Sequence, residues 1–400
     1  MKYTLADLFE KPISGEWGVD LNEGEKGVKV IRTTNFTNLG RLNLSNIVVR
    51  NIDTQKYKNK ILRYGDIIIE KSGGSPTQPV GRVVVFEENT DEKYFCNNFT
   101  SILRPTEIIN YKFSLYLLKD LYNRRRVLRY QNKTTGIINI RINEYIQGTE
   151  VSIPNKEVQQ KIAEVLDKAQ ELIDKRKAQI EALDELIKSV FYGMFSGEQK
   201  KENLENLCYP ITKGTTPSPK NIFRTEFKDA IPFLKVYNIK DDGSIDFEYK
   251  PSFISRITNE STLKRSIVYH NDVLMNIVGP PLCKIGIVPK TFDKWNVNQA
   301  IAIFRVKENL NPIYLLYCLK SDEITNYILS LAIGIRQQNI SLKQCRELEI
   351  KVPPMVLQNR FAIAVGNIEK QKELLQQSLA ELENNFNNLM QNAFKGKLFN

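Results

Sequence analysis

A single histidine among 400 residues, His270, leaves no His-based zinc cluster to build and little prospect of imidazole acid–base catalysis. It is expected on the surface or in a turn. The five cysteines, Cys96, Cys208, Cys283, Cys318 and Cys345, are odd in number, scattered and free of any C-x-x-C pair. That argues against a disulfide framework and fits a reducing, cytoplasmic setting. No apolar run approaches the roughly 18 residues of a membrane span, so no membrane partner is expected. The opening MKYTLADLFEKPISG lacks the apolar stretch of a signal peptide. Catalytic motifs are missing as well. A methyltransferase needs a Gly-rich cofactor turn and an Asn-Pro-Pro-aromatic or similar motif. The only Pro-Pro pairs stand in Gly279-Pro280-Pro281-Leu282 and Val352-Pro353-Pro354-Met355, and neither qualifies. No Gly-rich loop ends in Lys-Ser or Lys-Thr, so ATP-driven translocation is not encoded. Glu349-Ile350-Lys351 has the Glu-x-Lys shape of metal-dependent nucleases but no upstream Pro-Asp partner, and reads as a chance match. No catalytic or metal-ligating residue is expected; the chain reads as a binder that borrows its catalysis.

What is present is charge and length. A net charge of +11 and a pI near 9.2 suit a polyanionic partner, because each neutralised phosphate releases counterions. Charge alone fits a merely soluble basic protein equally well. With 42% apolar residues the chain can fill packed cores, and its length favours two or more domains.

An internal repeat organises the chain. The segment from Ile153-Pro154 through Gln159, Ala163, Leu183, Phe195 and Gly197 recurs 199 residues later, without a gap, as Val352-Pro353 through Gln358, Ala362, Leu382, Phe394 and Gly396. Each copy opens with a strand-like run ending in proline, Glu150 to Pro154 and Glu349 to Pro354, and proline is tolerated at a helix start. A long helical pattern follows. Ile162, Leu166, Ala169, Ile173, Arg176, Ile180, Leu183, Ile187, Val190 and Met194 step by four and three. Phe361, Val365, Ile368, Lys372, Leu375, Leu379, Leu382, Phe386, Leu389 and Ala393 follow in the same register. A sustained heptad with charges between is a coiled-coil seam. Two ordinary amphipathic helices in one core would be the alternative, but each pattern runs about 40 residues, on the order of 60 Å of helix, far beyond the mean.

Upstream of each helix lies a region of short β-rich runs, such as Asp66 to Ile69, Arg82 to Phe86 and Ala300 to Phe304, separated by Gly, Pro, Asn and Asp clusters. One helical stretch is expected late in each, around 111–129 and 312–331. The regions echo one another. Val30-Ile31-Arg32 before Asn35 matches Phe233-Leu234-Lys235 before Asn238, and Gly40 matches Gly243. Gly65-Asp66-Ile67-Ile68 then Gly73 matches Asn271-Asp272-Val273-Leu274 then Gly279, and Asn97-Asn98 matches Asn298-Gln299. The expected fold is therefore α+β, a pseudo-twofold repeat in which two globular β-rich α/β domains (1–150, 197–349) are separated by two long antiparallel coiled-coil helices (151–196, 350–400). Because domain ends usually lie close together, the helices should form an antiparallel hairpin with a domain at either end of a rod.

This arrangement resembles the specificity subunits of type I restriction–modification enzymes across essentially the whole chain. The carrying features are the Pro154…Gln159…Ala163 and Pro353…Gln358…Ala362 helix starts and the Phe195-x-Gly197 and Phe394-x-Gly396 helix ends. The Gly214-Thr215-Thr216-Pro217-Ser218 opening of the second domain and the Gly65-Asp66-Ile67-Ile68 strand add to them. The first domain has no Gly-Thr-Pro-Ser opening. The resemblance implies a non-catalytic, sequence-specific binder of double-stranded DNA. Each domain would be a target recognition domain reading one half of a split site, while the helices set the spacer and dock two methyltransferase subunits. Restriction and translocase subunits would join through those. S-adenosylmethionine, ATP and Mg would belong to the partners, with no cofactor in this chain.

Base recognition needs forked donors and amides on loops that reach a groove. The first domain offers Arg32 and Asn35, then Lys71-Ser72-Gly73-Gly74-Ser75 with Thr77, Gln78 and Arg82. Glycines there would let backbone approach phosphate, or simply make a tight turn. Asn97, Asn98 and the run Thr134-Thr135-Gly136 to Asn139 and Arg141 complete the set. The second domain offers Lys235, Asn238, Asn276, Lys284, Asn298, Gln299 and, foremost, Arg336-Gln337-Gln338-Asn339 beside Gly334. Four consecutive bidentate-capable side chains suit a major-groove loop; a solvated polar turn is the plain alternative. Arg124, Arg125, Arg126 and Arg129, with Lys133, Tyr122 and Tyr130, lie on a predicted helix and suit phosphate contacts, or a solvated basic face. Two other functions compete: a self-contained DNA methyltransferase or nuclease, against which the missing motifs weigh, and a coiled-coil scaffold with no DNA role.

Overall fold

A computed structural model describes residues 2–75, 78–134, 137–331 and 338–399 of the chain. It contains two compact units, one formed by Met1–Arg176 with Ser378–Asn400 and the other by Lys177–Gln377.

In the first unit the apolar run at 67–69 becomes the strand Ile67–Glu70, flanked by Thr100–Leu103 and Val83–Val85, with Ile13–Ser14 at the edge. Side chains alternate across a strand, and here both faces are covered. Ile67, Ile69, Val83, Val85 and Leu103 pack under Leu5, Leu8 and the helix Tyr111–Asn123. Ile68, Val84 and Ile102 pack on Ile31, Tyr94 and Cys96 of a second sheet. That double burial is why the strand is continuously apolar rather than alternating. The second sheet pairs Val28–Ile31 parallel with Tyr94–Cys96 and antiparallel with Val48–Arg50.

The second unit repeats this plan. Val273–Asn276 lies between Ile301–Phe304 and Ile285–Ile287, with Thr212–Lys213 at the edge. Val273 and Met275 face one core, and Leu274 faces the other. Ala230–Leu234 pairs parallel with Trp295–Val297 and antiparallel with Phe253–Ser255. An ion pair on a buried aspartate is duplicated too: Arg104 donates through Nε and Nη2 to Asp66 at 2.8 Å each, as the more exposed Arg305 does to Asp272 at 2.9 and 2.7 Å. In each unit one short antiparallel pair closes the domain, Lys2–Thr4 with Glu150–Ser152 and Lys201–Asn203 with Glu349–Lys351. Among the described cysteines none is paired, and His270 lies exposed in a turn.

Two 40-residue helices, Lys156–Phe195 and Met355–Phe394, follow the prolines. Every seam position named above is buried or half-buried. In the first unit Ile162, Ala163 and Leu166 share a core with Met390 and Ala393. In the second, Phe195 meets Phe361 at 5.5 Å between ring centroids, and Lys372 donates to Asp184 at 2.5 Å, so the helices run antiparallel there.

Each long helix is tied to its domain by one buried amide. Gln159 Oε1 accepts from Asn110 N at 2.8 Å while its Nε2 donates to Pro154 O and Ile108 O at 3.0 and 3.2 Å. Gln358 does the same with Asn311 N at 2.8 Å, Pro353 O at 2.8 Å and Asn309 O at 3.4 Å. Asn110 and Asn311 in turn cap the helices Tyr111–Asn123 and Pro312–Lys320.

The late helical stretches are each broken, where the sequence suggested one. The first ends at Asn123, because Arg125 adopts a left-handed φ of 58° and leads into the short 3₁₀ turn Arg126–Tyr130. The second splits into Pro312–Lys320 and Asp322–Leu331 at Ser321, an extended residue whose hydroxyl donates to Cys318 O at 2.7 Å. No described helix is long and apolar enough to cross a membrane.

Candidate nucleic-acid interface

Three loops of the first unit converge beside the edge strand. Lys71 N and Ser72 N both donate to Phe99 O, at 2.8 and 3.1 Å, which seats the Lys71–Gly74 loop against Asn97, Asn98 and Phe99. Ser72 Oγ donates to Asn139 Oδ1 at 2.6 Å, and Ser72–Gly73 pairs with Ile137–Ile140. Lys71 Nζ donates to Ser14 Oγ at 2.6 Å, and burial pulls its ammonium below the usual lysine range. Gly73 and Gly74 take φ of 116° and 69°, conformations that favour glycine. Asn98, Phe99, Gly74 and Gln78 are exposed, while Asn97 is buried with its Oδ1 unpartnered.

The second unit assembles the matching set. Gly279 N donates to Gln338 O at 3.0 Å, and Val278 bridges Asn339 just as Ser72 pairs with Asn139. Gln299 N donates to Thr216 Oγ1 at 3.4 Å, and Asn298 Oδ1 has no partner. Gln299, Gln338 and Asn339 are exposed. Thr77, Thr135, Gly136, Gly334, Arg336 and Gln337 lie outside the described residues.

Other candidates hold structural partners. Asn35 Oδ1 accepts from Arg32 N at 2.9 Å and its Nδ2 donates to Asn43 O at 2.9 Å. Asn238 closes the same turn with Lys235 N at 3.0 Å and Asp246 O at 2.9 Å. Arg32 Nη2 donates to Asn46 O at 3.1 Å. Arg82 grips buried Glu70 through Nε and Nη2 at 2.9 and 3.0 Å, which raises its guanidinium above the ordinary value. Asn276, which occupies the place of Glu70, donates to Pro281 O and is fully buried. Lys284 reaches Asp241 at 3.4 Å, and Arg141 pairs with Glu144 at 2.5 Å. Arg124 pairs with Asp120, while Arg124, Arg126 and Arg129 line one cleft at the base of the domain; Arg125 lies exposed outside that lining.

Sequence reasoning missed Gly15, Ser14 and Phe99. A Cβ on Gly15 would lie 2.1 Å from Asn97 O, and one on Gly214 would lie 2.1 Å from Asn298 O. Gly15 thus stands where Gly214 opens the second domain, and each glycine lets the edge strand approach a candidate loop. The signal was present: Ile13-Ser14-Gly15 corresponds to Thr212-Lys213-Gly214. It was hidden because the residues after Gly15 differ.

The family described as type I restriction modification DNA specificity domain matches residues 1–182 and again 200–384. No curated protein matches the chain in sequence. A solved chain from work on complex assembly and conformational transition of the type I R-M system is 16% identical, with a TM-score of 0.61, covering 100% of this chain and 98% of that one. The type I restriction-modification S subunit from M. genitalium is 17% identical, with a TM-score of 0.56 and coverage of 98% and 96%.

Proposed function

The chain belongs to the type I restriction–modification DNA specificity family, with one copy of the family's domain in each half, and from this we propose how it works. It is a specificity subunit with two target-recognition domains, a non-catalytic component of such a system. Each domain reads one half of a bipartite duplex site. In the first, Ser72, Gly73, Gly74, Gln78, Asn98 and Asn139 form the reading face, with Lys71 and the buried Asn97 behind it. In the second, Asn298, Gln299, Gln338 and Asn339 do so, and Arg336 and Gln337, which precede Gln338 in the sequence, are assigned to base reading with them. Arg32, Asn35, Arg82, Arg141, Lys235, Asn238, Asn276 and Lys284 hold the turns and strands that carry these faces. Arg124, Arg125, Arg126 and Arg129 serve phosphate. The long helices (within 151–196 and 350–400) set the spacer and dock two methyltransferase subunits. Restriction and translocase subunits join through them, with S-adenosylmethionine, ATP and Mg held by the partners. Apolar side chains exposed on the helices, Leu172 and Leu186 on the first and Val356, Ile363 and Leu374 on the second, support that docking.

One observation carries the reading: the same loop constellation is built twice, each on its own domain beside an edge strand that ends at a glycine. Replacing residues 197–349 with the corresponding domain of a relative, in a host that supplies the partner subunits, should change one half of the methylated sequence and leave the other intact. Methylome sequencing reads the outcome. Both halves changing together would defeat the modular assignment.

A further inference from the structure

Duplication gave the two units a cleft in the same place, where the helix Tyr111–Asn123 or Pro312–Lys320 faces the strand that returns to the long helix. Phe195, Cys318, Ser321, Glu349 and Lys351 line it in the second unit. At the matching positions of the first stand Phe394, Leu117, Asp120, Glu150 and Ser152. The first copy differs by what opens onto it: Arg124, Arg126 and Arg129, around a volume of about 470 Å³.

The backbone explains their convergence. After left-handed Arg125, residues Arg126–Tyr130 form a 3₁₀ turn, in which side chains three apart eclipse. Arg126 and Arg129 therefore share a face, while Val127 between them is buried against Gly81. Arg124 is answered by Asp120 at 3.0 Å. Arg126 and Arg129 have no ion pair among the described residues, and Glu150 is the remaining carboxylate of the lining. Thr149, on the same lining and 7% exposed, has a buried hydroxyl with no hydrogen-bond partner.

We propose that this cleft is a phosphate-binding site: Arg126 and Arg129 grip the oxygens as forked donors, and the Thr149 hydroxyl donates from the floor. The phosphate comes from the backbone of bound duplex or from a free phosphate-bearing molecule, and the chemistry is the same. The proposal deepens the assignment of this arginine run and rests on DNA reading only for the duplex source. The second unit's cleft has Lys201, paired with Glu323 at 3.7 Å, and Lys351 but no arginine, so it lacks the forked donors of this site.

The test titrates inorganic phosphate into the full-length chain at constant ionic strength, by calorimetry and thermal shift. Wild type should bind saturably. The double substitution Arg126→Ala and Arg129→Ala should weaken binding by about tenfold or more. Thr149→Val removes a hydroxyl with no internal partner, so it should fold as wild type yet bind about threefold more weakly. Glu323→Ala should change nothing. Salt dependence of duplex binding separates the sources. A backbone phosphate in the cleft makes the double variant's log–log slope shallower by about one, since one phosphate contact is lost, whereas a free phosphate leaves the slope unchanged. No saturable phosphate binding together with an unchanged slope overturns the proposal. Sequence-specific methylation by the complete complex, if retained in that case, leaves the DNA-reading function standing.

Discussion

Gln159 and Gln358 show what a single side chain contributes to this fold. Each buried amide satisfies one backbone donor and two backbone acceptors in a partly buried setting, and each joins the first turn of a long helix to the cap of a domain helix. Gln159→Ala should destabilise the first unit by about 1–3 kcal/mol, since the partly buried partner groups lose their bonds. Gln159→Glu should cost more, because a carboxylate oxygen would then face two carbonyls. Urea denaturation with hydrogen exchange resolved to residues 108–111 and 154–159 checks both. Equal stability of all three proteins would show that the amide is not the tie. The sequence marked both glutamines as repeat positions, yet residue type could not reveal their task. The same ambiguity touches Asn35 and Asn238: an amide on a β-rich domain closes a turn or reaches a groove, and its type is identical in both cases. Only the backbone atoms brought beside it decide, and those come from residues 8 to 11 further along the chain.

At the scale of elements, legibility followed the length of the periodic signal. The seam repeats over ten positions in each helix, so its register was readable, and every one of those positions is buried or half-buried. The domain helices were not bounded correctly because apolar spacing continues across Ser321 and through Val127, where the backbone leaves the helix. Composition carries no mark of a left-handed Arg125. Strand runs at 67–69 and 301–304 were legible because burial on both faces demands continuous apolar residues. If the long helices set the spacer, removing one heptad from each in register, residues 177–183 with 376–382, shortens each by about 10 Å. With duplex rising about 3.4 Å per base pair, the unspecified spacer should shrink by up to roughly three base pairs, or rotation of the half-sites around the duplex should abolish binding. Methylome sequencing of the deletion strain measures this, and full activity on an unchanged spacer would mean the helices are not the ruler.

The duplication makes a demand on the whole molecule that half of it can test. Residues 1–198 carry one domain and one long helix but lack Ser378–Asn400, the segment that completes the first unit. That segment contributes Phe386, Leu389, Met390, Ala393 and Phe394 to the core. The residues 199 positions earlier are Ile187, Val190, Phe191, Met194 and Phe195, apolar at every place. A second copy of the fragment can therefore supply the missing face and receive the same in return, which is the condition for a self-complementary dimer on a twofold axis. Two costs weaken it. Met194 and Phe191 are bulkier than the Ala393 and Met390 they replace, and overpacking costs typically about 1–3 kcal/mol. Asp184, which holds Lys372 in the intact chain, would face Ile173 instead; its side chain is 44% exposed, so water can solvate it, and the loss should stay near or below about 1 kcal/mol. The fragment should thus dimerise, and Met194→Ala should tighten the dimer by relieving the larger cost. Two identical reading domains related by a twofold axis read an inverted repeat. With methyltransferase partners, the dimer should direct methylation to an interrupted palindrome whose half-site equals the one read by the first domain of the full chain. Sedimentation measures the association and methylome sequencing the site. A fragment that stays monomeric, or a dimer that methylates an asymmetric sequence, would show that the second helix supplies something its counterpart in the first cannot.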